Sequence, residues 1–125
     1  TYLFIAHNLH VVKYLSDRIA VMYLGRIVEI GSADAIYSTP RHPYTASLMQ
    51  AIPVTHPDQR VASKSIVQGD LPDPAHPPQG CRFHPRCPFA RERCRVERPE
   101  LREIRPGQMA ACHFSEELTL KGGRA

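Results

Sequence analysis

No stretch of this chain approaches the ~20 consecutive apolar residues that a membrane-spanning helix needs. Nor does it open on a charged segment followed by an apolar run and a cleavage site. Any association with a membrane must therefore run through a partner. A G-x-x-x-x-G-K-[ST] phosphate loop is missing, as is an acidic strand end that could hold magnesium. Basic residues form no stripe. Lys and Arg number 16 against 12 Asp and Glu, for a formal charge of +4 with seven histidines counted neutral. The densest basic run, Arg82 to Arg105, is broken by Glu92, Glu97, Glu100 and Glu103, which argues against nucleic acid as a partner. Paired C-x2-4-C knuckles, the usual mark of a zinc ribbon, are absent as well.

What is present begins with a short apolar run, Leu3-Phe4-Ile5-Ala6, that stops at His7-Asn8. A run apolar at every position suits a strand buried on both faces, as in a parallel sheet covered by helices. A histidine at the carboxyl end of such a strand stands where open α/β sheets bind ligands. Leu9, Val12 and Leu15 then recur at helical spacing. Two β-rich runs, Arg18 to Tyr23 and Arg26 to Ile30, flank Leu24-Gly25 and read as a hairpin. The order is strand, histidine, helix, hairpin.

Two short helices follow. Ser32 is suited to cap Ala33 to Ser38, with Ala33, Ile36 and Tyr37 on one side. Pro43 suits a first helical position, with Tyr44, Ser47, Leu48 and Ala51 near one face, and Pro53 ends the helix. Residues 53–80 then read as a linker holding Pro57, Pro72, Pro74, Pro77 and Pro78, with a short strand hinted at Ser65 to Gly69. Proline fixes φ and removes a donor, so an extended strap is expected rather than a helix.

All four cysteines fall in the last third, spaced C-x5-C-x6-C-x17-C at Cys81, Cys87, Cys94 and Cys112. Three uses compete. Two disulfides suit an exported protein. Four thiolates suit structural zinc. An iron–sulfur cluster also takes four thiolates and tolerates wider, unequal spacing, and nearby arginines would offset its charge. His84 and His113 stand beside cysteines as substitute ligands. After Phe114 the chain turns polar and is expected to fray.

FIAHNL followed by SDRIAVMYLGRIVEIG resembles the segment around the switch histidine of ATP-binding-cassette ATPases. The position after that histidine is often Asp in the family and is Asn8 here, which hydrogen-bonds but carries no charge. PRHPYTASLMQAIP, LPDPAHPPQGCRFHPRCPFA and AACHF resemble the C-terminal part of the ATP-binding subunit of oligopeptide and dipeptide importers within that family. The resemblance implies an α/β fold in four parts. Residues 1–52 would close the nucleotide-binding domain with strand, helix, β-hairpin and short helices. Residues 53–80 would be the proline-rich linker, 81–118 the small cysteine-rich tail, and 119–125 a disordered end.

The resemblance also implies roles. His7 would contact the γ-phosphate of ATP and help place the attacking water, because phosphoryl transfer needs positioning and charge stabilisation more than covalent help. Cys81, Cys87, Cys94 and Cys112 would hold a four-iron, four-sulfur cluster, with zinc as the alternative. ATP and Mg would bind residues preceding Thr1, so the fragment alone should be inactive. The partners implied are a second ATPase subunit and two transmembrane permease subunits, with a peptide-binding protein acting indirectly. The placement implied is peripheral, on the cytoplasmic face of the inner membrane. The cysteine tail would brace a subunit interface, and a strand exposed at Leu3 to Ala6 would lead the fragment to self-associate. Two other classes remain open from the residues alone: a self-contained metal-binding interaction module, and a nucleic-acid binder using the basic cysteine region.

Overall fold

The computed structural model describes residues 1–52 and 69–123. Its centre is the hairpin of β1 (Arg18–Tyr23) and β2 (Arg26–Ser32). Leu24 and Gly25 both take positive φ, 45° and 73°, the backbone of a tight turn whose twist matches the strands it joins. Along β1 burial alternates, so Val21 and Tyr23 face inward while Arg18, Ala20 and Met22 face out. In β2 the alternation breaks. Val28 opposes no residue of β1, because the register slips between Val21 paired with Glu29 and Met22 paired with Ile27. That bulge leaves Val28 and Glu29 buried side by side.

The helices between sheet and tail start where their caps put them. Asn8 accepts from the amides of His10 and Val11 at 3.1 and 3.4 Å, starting α1 (Leu9–Leu15). Ser32 Oγ accepts from Ala35 N at 3.2 Å, starting α2 (Ala33–Ser38), which buries Ala33, Ile36 and Tyr37 as expected. Pro43 opens α3 (Pro43–Gln50), capped by His42 Nδ1 accepting from Tyr44 N at 3.1 Å. The inward face of α3 differs from the expected one. Pro43, Thr45, Ala46 and Met49 are buried, whereas Tyr44, Ser47 and Leu48 are only partly covered and Ala51 is exposed. The helix meets the hairpin through Tyr44, whose ring lies 4.6 Å from that of Tyr23, and the end of the chain where Met49 lies against Gly123, so two neighbours rather than one decide its covered face.

The cysteine-bearing tail is not a separate layer. It contributes a short helix, α4 (Glu92–Val96), and a second hairpin, β3 (Arg102–Arg105) and β4 (Gln108–Ala110), closed by Gly107 at φ 78°. β4 adds to β2, pairing Glu29 with Ala110 and Ile30 with Met109, so the sheet runs β1-β2-β4-β3 and is antiparallel throughout. One core serves both parts: Val21, Tyr23, Val28, Ile36, Tyr37 and Met49 pack with Phe83. Phe83 is 1% exposed and meets Tyr23 edge to face at 5.2 Å, with Tyr44 at 5.4 Å.

One further expectation changes, and two others are only partly within the described residues. Leu3 to Ala6 forms no strand; Leu3 is 96% and Ile5 100% exposed, because the described residues offer no neighbouring strand to pair with. At the end expected to be disordered, residues 121–123 lie against α2 and α3. Gln50 Nε2 donates to Lys121 O at 3.2 Å, and Gly122 lies so close to the backbone of α2 that a Cβ there would collide with Tyr37 O. Of the strap, residues 69–80 hold a turn at Pro74-Ala75 and bends at Gly69, His76, Gln79 and Gly80 with no strand or helix between them, while 53–68, including most of the expected strand at 65–69, lie outside the described residues.

Candidate functional site

Cys81, Cys87, Cys94 and Cys112 line one small apolar cavity between the tail and α3. The sequence predicted that the four belong together, and the fold brings them together from three separate pieces of backbone. Cys81 and Cys87 bracket a 3-10 turn (His84–Arg86), Cys94 rides on α4, and Cys112 follows β4. Their backbones interlock. Cys81 N donates to Cys94 O at 2.8 Å, and Ala111 N donates to Val28 O at 2.8 Å, tying the last cysteine to the bulge in β2.

Gly80 makes the first of these contacts possible. Its φ is +70°, and a Cβ there would stand 2.4 Å from Cys94 O and 2.7 Å from the Arg95 backbone. Gly80→Ala therefore meets both a strained conformation and an immovable neighbour. We expect it to lower the unfolding free energy by roughly 2–3 kcal/mol and to spread the cysteines, measured by urea denaturation and thiol accessibility.

All four thiols are free, so the disulfide reading of the spacing is not realised. Burial pushes the Cys81 thiol up to about 11 and the Cys87 thiol up to about 12, with the neighbouring cysteines adding to both shifts. The backbone N–H groups of Phe83 and Phe89 partly offset these shifts. Cys112 is likewise raised by burial, against the N–H of Phe114 and the hydroxyl of Ser115. Such thiols stay protonated near neutrality unless a cation takes the place of the protons.

His84 and His113 line the same cavity. His84 Nδ1 lies 2.9 Å from Cys81 O, and His113 Nε2 lies 2.9 Å from Glu97 O, so one nitrogen of each ring faces a carbonyl. A single zinc ion needs four donors about 2.3 Å from one point. Among the described residues no group of three or more His, Cys, Asp or Glu is gathered to hold one metal ion.

His7 lies apart from this cavity. It sits exposed in a bend just before the capping Asn8, not at the rim of a strand, because the expected strand is not formed. The residues that sequence reasoning missed are Glu29, Gln108 and His42. Glu29 is 0% exposed and accepts from Arg41 N at 2.8 Å, His42 N at 2.9 Å and Gln108 Nε2 at 2.9 Å. The second hydrogen of that amide reaches Thr39 O at 2.9 Å. A glutamate inside an otherwise apolar strand, Ile27-Val28-Glu29-Ile30, was the legible signal for it.

The family model for the C-terminal region of oligopeptide/dipeptide transporters matches residues 28–94, from the bulge of β2 to the third cysteine. The di/tripeptide transport ATP-binding protein DppF of Pseudomonas aeruginosa is 53% identical over 117 residues, 94% of this chain and 36% of its own. The oligopeptide transport ATP-binding protein AppF of Bacillus subtilis is 47% identical over 115 residues, 91% of this chain and 35% of its own. The chain thus spans about a third of the length of the curated relatives it matches. It belongs to the oligopeptide/dipeptide transporter family, of which it carries the C-terminal region.

Proposed function

We propose that the whole protein is the ATP-hydrolysing subunit of an importer for oligopeptides or dipeptides, and that this chain supplies its C-terminal portion. The observation that carries this reading is the unbroken similarity, across hairpin, helix pair and cysteine tail, to transport proteins described as ATP-binding. ATP and Mg would be held by residues outside this chain, beside a second ATPase subunit. Two permease subunits would carry the peptide, delivered by a separate binding protein. The place proposed for it is peripheral, on the cytoplasmic face of the inner membrane; none of the described helices is long and apolar enough to cross a membrane. Peptide uptake by cells expressing the whole protein with its permeases tests the reading. Uptake that persists undiminished without the protein overturns it.

Within that reading His7 contacts the γ-phosphate. The cap at Asn8 starts α1 directly after the exposed His7. His7→Ala in the whole protein is expected to lower ATP turnover about 100-fold while ATP still binds, the usual effect of removing one preorganised donor. Unchanged turnover would remove the assignment.

We infer that Cys81, Cys87, Cys94 and Cys112 would hold a four-iron, four-sulfur cluster, one iron to each thiolate, a reading supported by the four cysteines lining one cavity. When bound, the cluster would staple α4, the 3-10 turn and the end of β4 into one unit. The chain's part is to supply four sulfurs, to shield them with Phe83, Phe89 and Phe114, and to set Arg82, Arg86 and Arg93 nearby in sequence. Iron and acid-labile sulfide in anaerobically purified whole protein test this part.

A further inference from the structure

Among the described residues little holds α1 to the rest of the molecule. It buries no side chain, and Val11, Tyr14 and Leu15 stand open to solvent. Its neighbour is α2, and one residue there, Tyr37, reaches α1 at two points. The Tyr37 hydroxyl donates to Leu9 O, in the first turn of α1. The ammonium of Lys13, one turn further on, stands over the Tyr37 ring at 5.5 Å from its centroid. Leu9 also packs at the edge of the core. A carbonyl carries two lone pairs, so Leu9 O can keep its bond within the helix and still take the hydroxyl.

Tyr37 is not free to follow α1. It is 6% exposed and packs with Ile36 and Met49 in the shared core. Its backbone lies in α2, which Ser32 caps where β2 ends, and Gly122 fills the space beside Tyr37 O so closely that a Cβ would collide. The core therefore presents the hydroxyl, and α1 is placed by it rather than the reverse. The contact falls at the start of the helix. Leu9 is the first residue of α1, Asn8 is its cap, and His7 directly precedes the cap. A bond at Leu9 fixes the first turn, whereas one near Leu15 would leave it to swing.

We propose that Tyr37 is a positioning residue for ATP hydrolysis: its hydroxyl fixes the first turn of α1 and, through the Asn8 cap, the backbone of His7. This rests on the reading of His7 as the γ-phosphate contact and adds a second residue to that site. A misplacement of about 1 Å at such a group can cost about 100-fold in rate. A tether two residues along the chain is close enough to prevent it.

The test is Tyr37→Phe in the whole protein, a change that removes one oxygen and leaves the buried ring in place. The kcat for ATP hydrolysis is expected to fall about tenfold, with KM for ATP within about twofold of the parent. Amide hydrogen exchange should quicken in α1 and stay unchanged in the first hairpin and α2. Added to His7→Ala, Tyr37→Phe should lower kcat no further, because both act through one imidazole. A parent-like kcat for Tyr37→Phe beside a large loss for His7→Ala overturns the inference and leaves the His7 reading standing, whatever α1 does in exchange. So does a loss that multiplies with that of His7→Ala, or one carried by KM alone. Parent turnover in His7→Ala removes the His7 reading, and this inference falls with it.

Discussion

Replacing Glu29 with alanine is expected to lower the unfolding free energy by about 3–5 kcal/mol, the range for stripping one partner from a buried charged network. The carboxylate is the acceptor for three donors supplied by separate parts of the chain: the amides of Arg41 and His42 ahead of α3, and the side-chain amide of Gln108 on β4. The two backbone donors are fixed by the entry into α3 and cannot swing toward water. Each left unsatisfied costs about 1–3 kcal/mol. Gln108 is 3% exposed and retains only Thr39 O, so the join between β2 and β4 also loosens. Glu29→Gln keeps the shape and one strong acceptor but turns an NH2 group toward a donor, and should lose about 1–3 kcal/mol. Urea denaturation of both variants checks the order. An alanine variant within about 1 kcal/mol of the parent would show that water replaces the carboxylate, and that the network does not join the two hairpins.

That network also marks where the sequence stopped being readable. The first hairpin, the Ser32 cap and the Pro43 helix start were legible because their signals are local. Each rests on residues two to four positions apart that satisfy one another. The addition of β4 to β2 was not legible, since the Glu29–Gln108 bond spans 79 positions and neither residue carries a local sign of the other. The Leu3 to Ala6 run failed for a related reason. Apolar composition announces burial, but a strand also needs a partner for its amides, and that partner is not among the described residues. For α3 the helical period was correct and the face was not, because the wheel ranks residues by hydrophobicity while close packing selected Ala46, Thr45 and Met49. The cysteine cavity was legible as a set of four.

Acidification from pH 6.5 toward 4.5 is expected to destabilise the protein by roughly 2–3 kcal/mol through one residue, His42. The imidazole is 1% exposed, and burial pushes its pKa down from 6.5 to about 3. Its Nδ1 accepts from Tyr44 N, so the ring is neutral with its proton on Nε2, and its face meets Phe83 at 5.8 Å. For a base with a depressed folded pKa, the unfolded chain takes up a proton that the folded one refuses. Stability is therefore complete above about 6.5 and drains away as pH falls toward 3. Glu29 acts with the opposite sign. Burial raises its pKa above 4.5, so the folded state binds the proton more readily, and its contribution is complete below 4.5 and shrinks as pH rises through the folded value. The exposed pairs lie outside the window, since Glu116 beside Arg102 is held down at about 2 and Glu97 beside Arg93 is also lowered. His42→Gln retains an acceptor for Tyr44 N and cannot be protonated, so its stability between pH 6.5 and 4.5 should lack the acid loss and follow the sign set by Glu29. Parent and variant curves that run parallel across those two units would show that His42 does not control the acid response, and that the imidazole finds water on protonation.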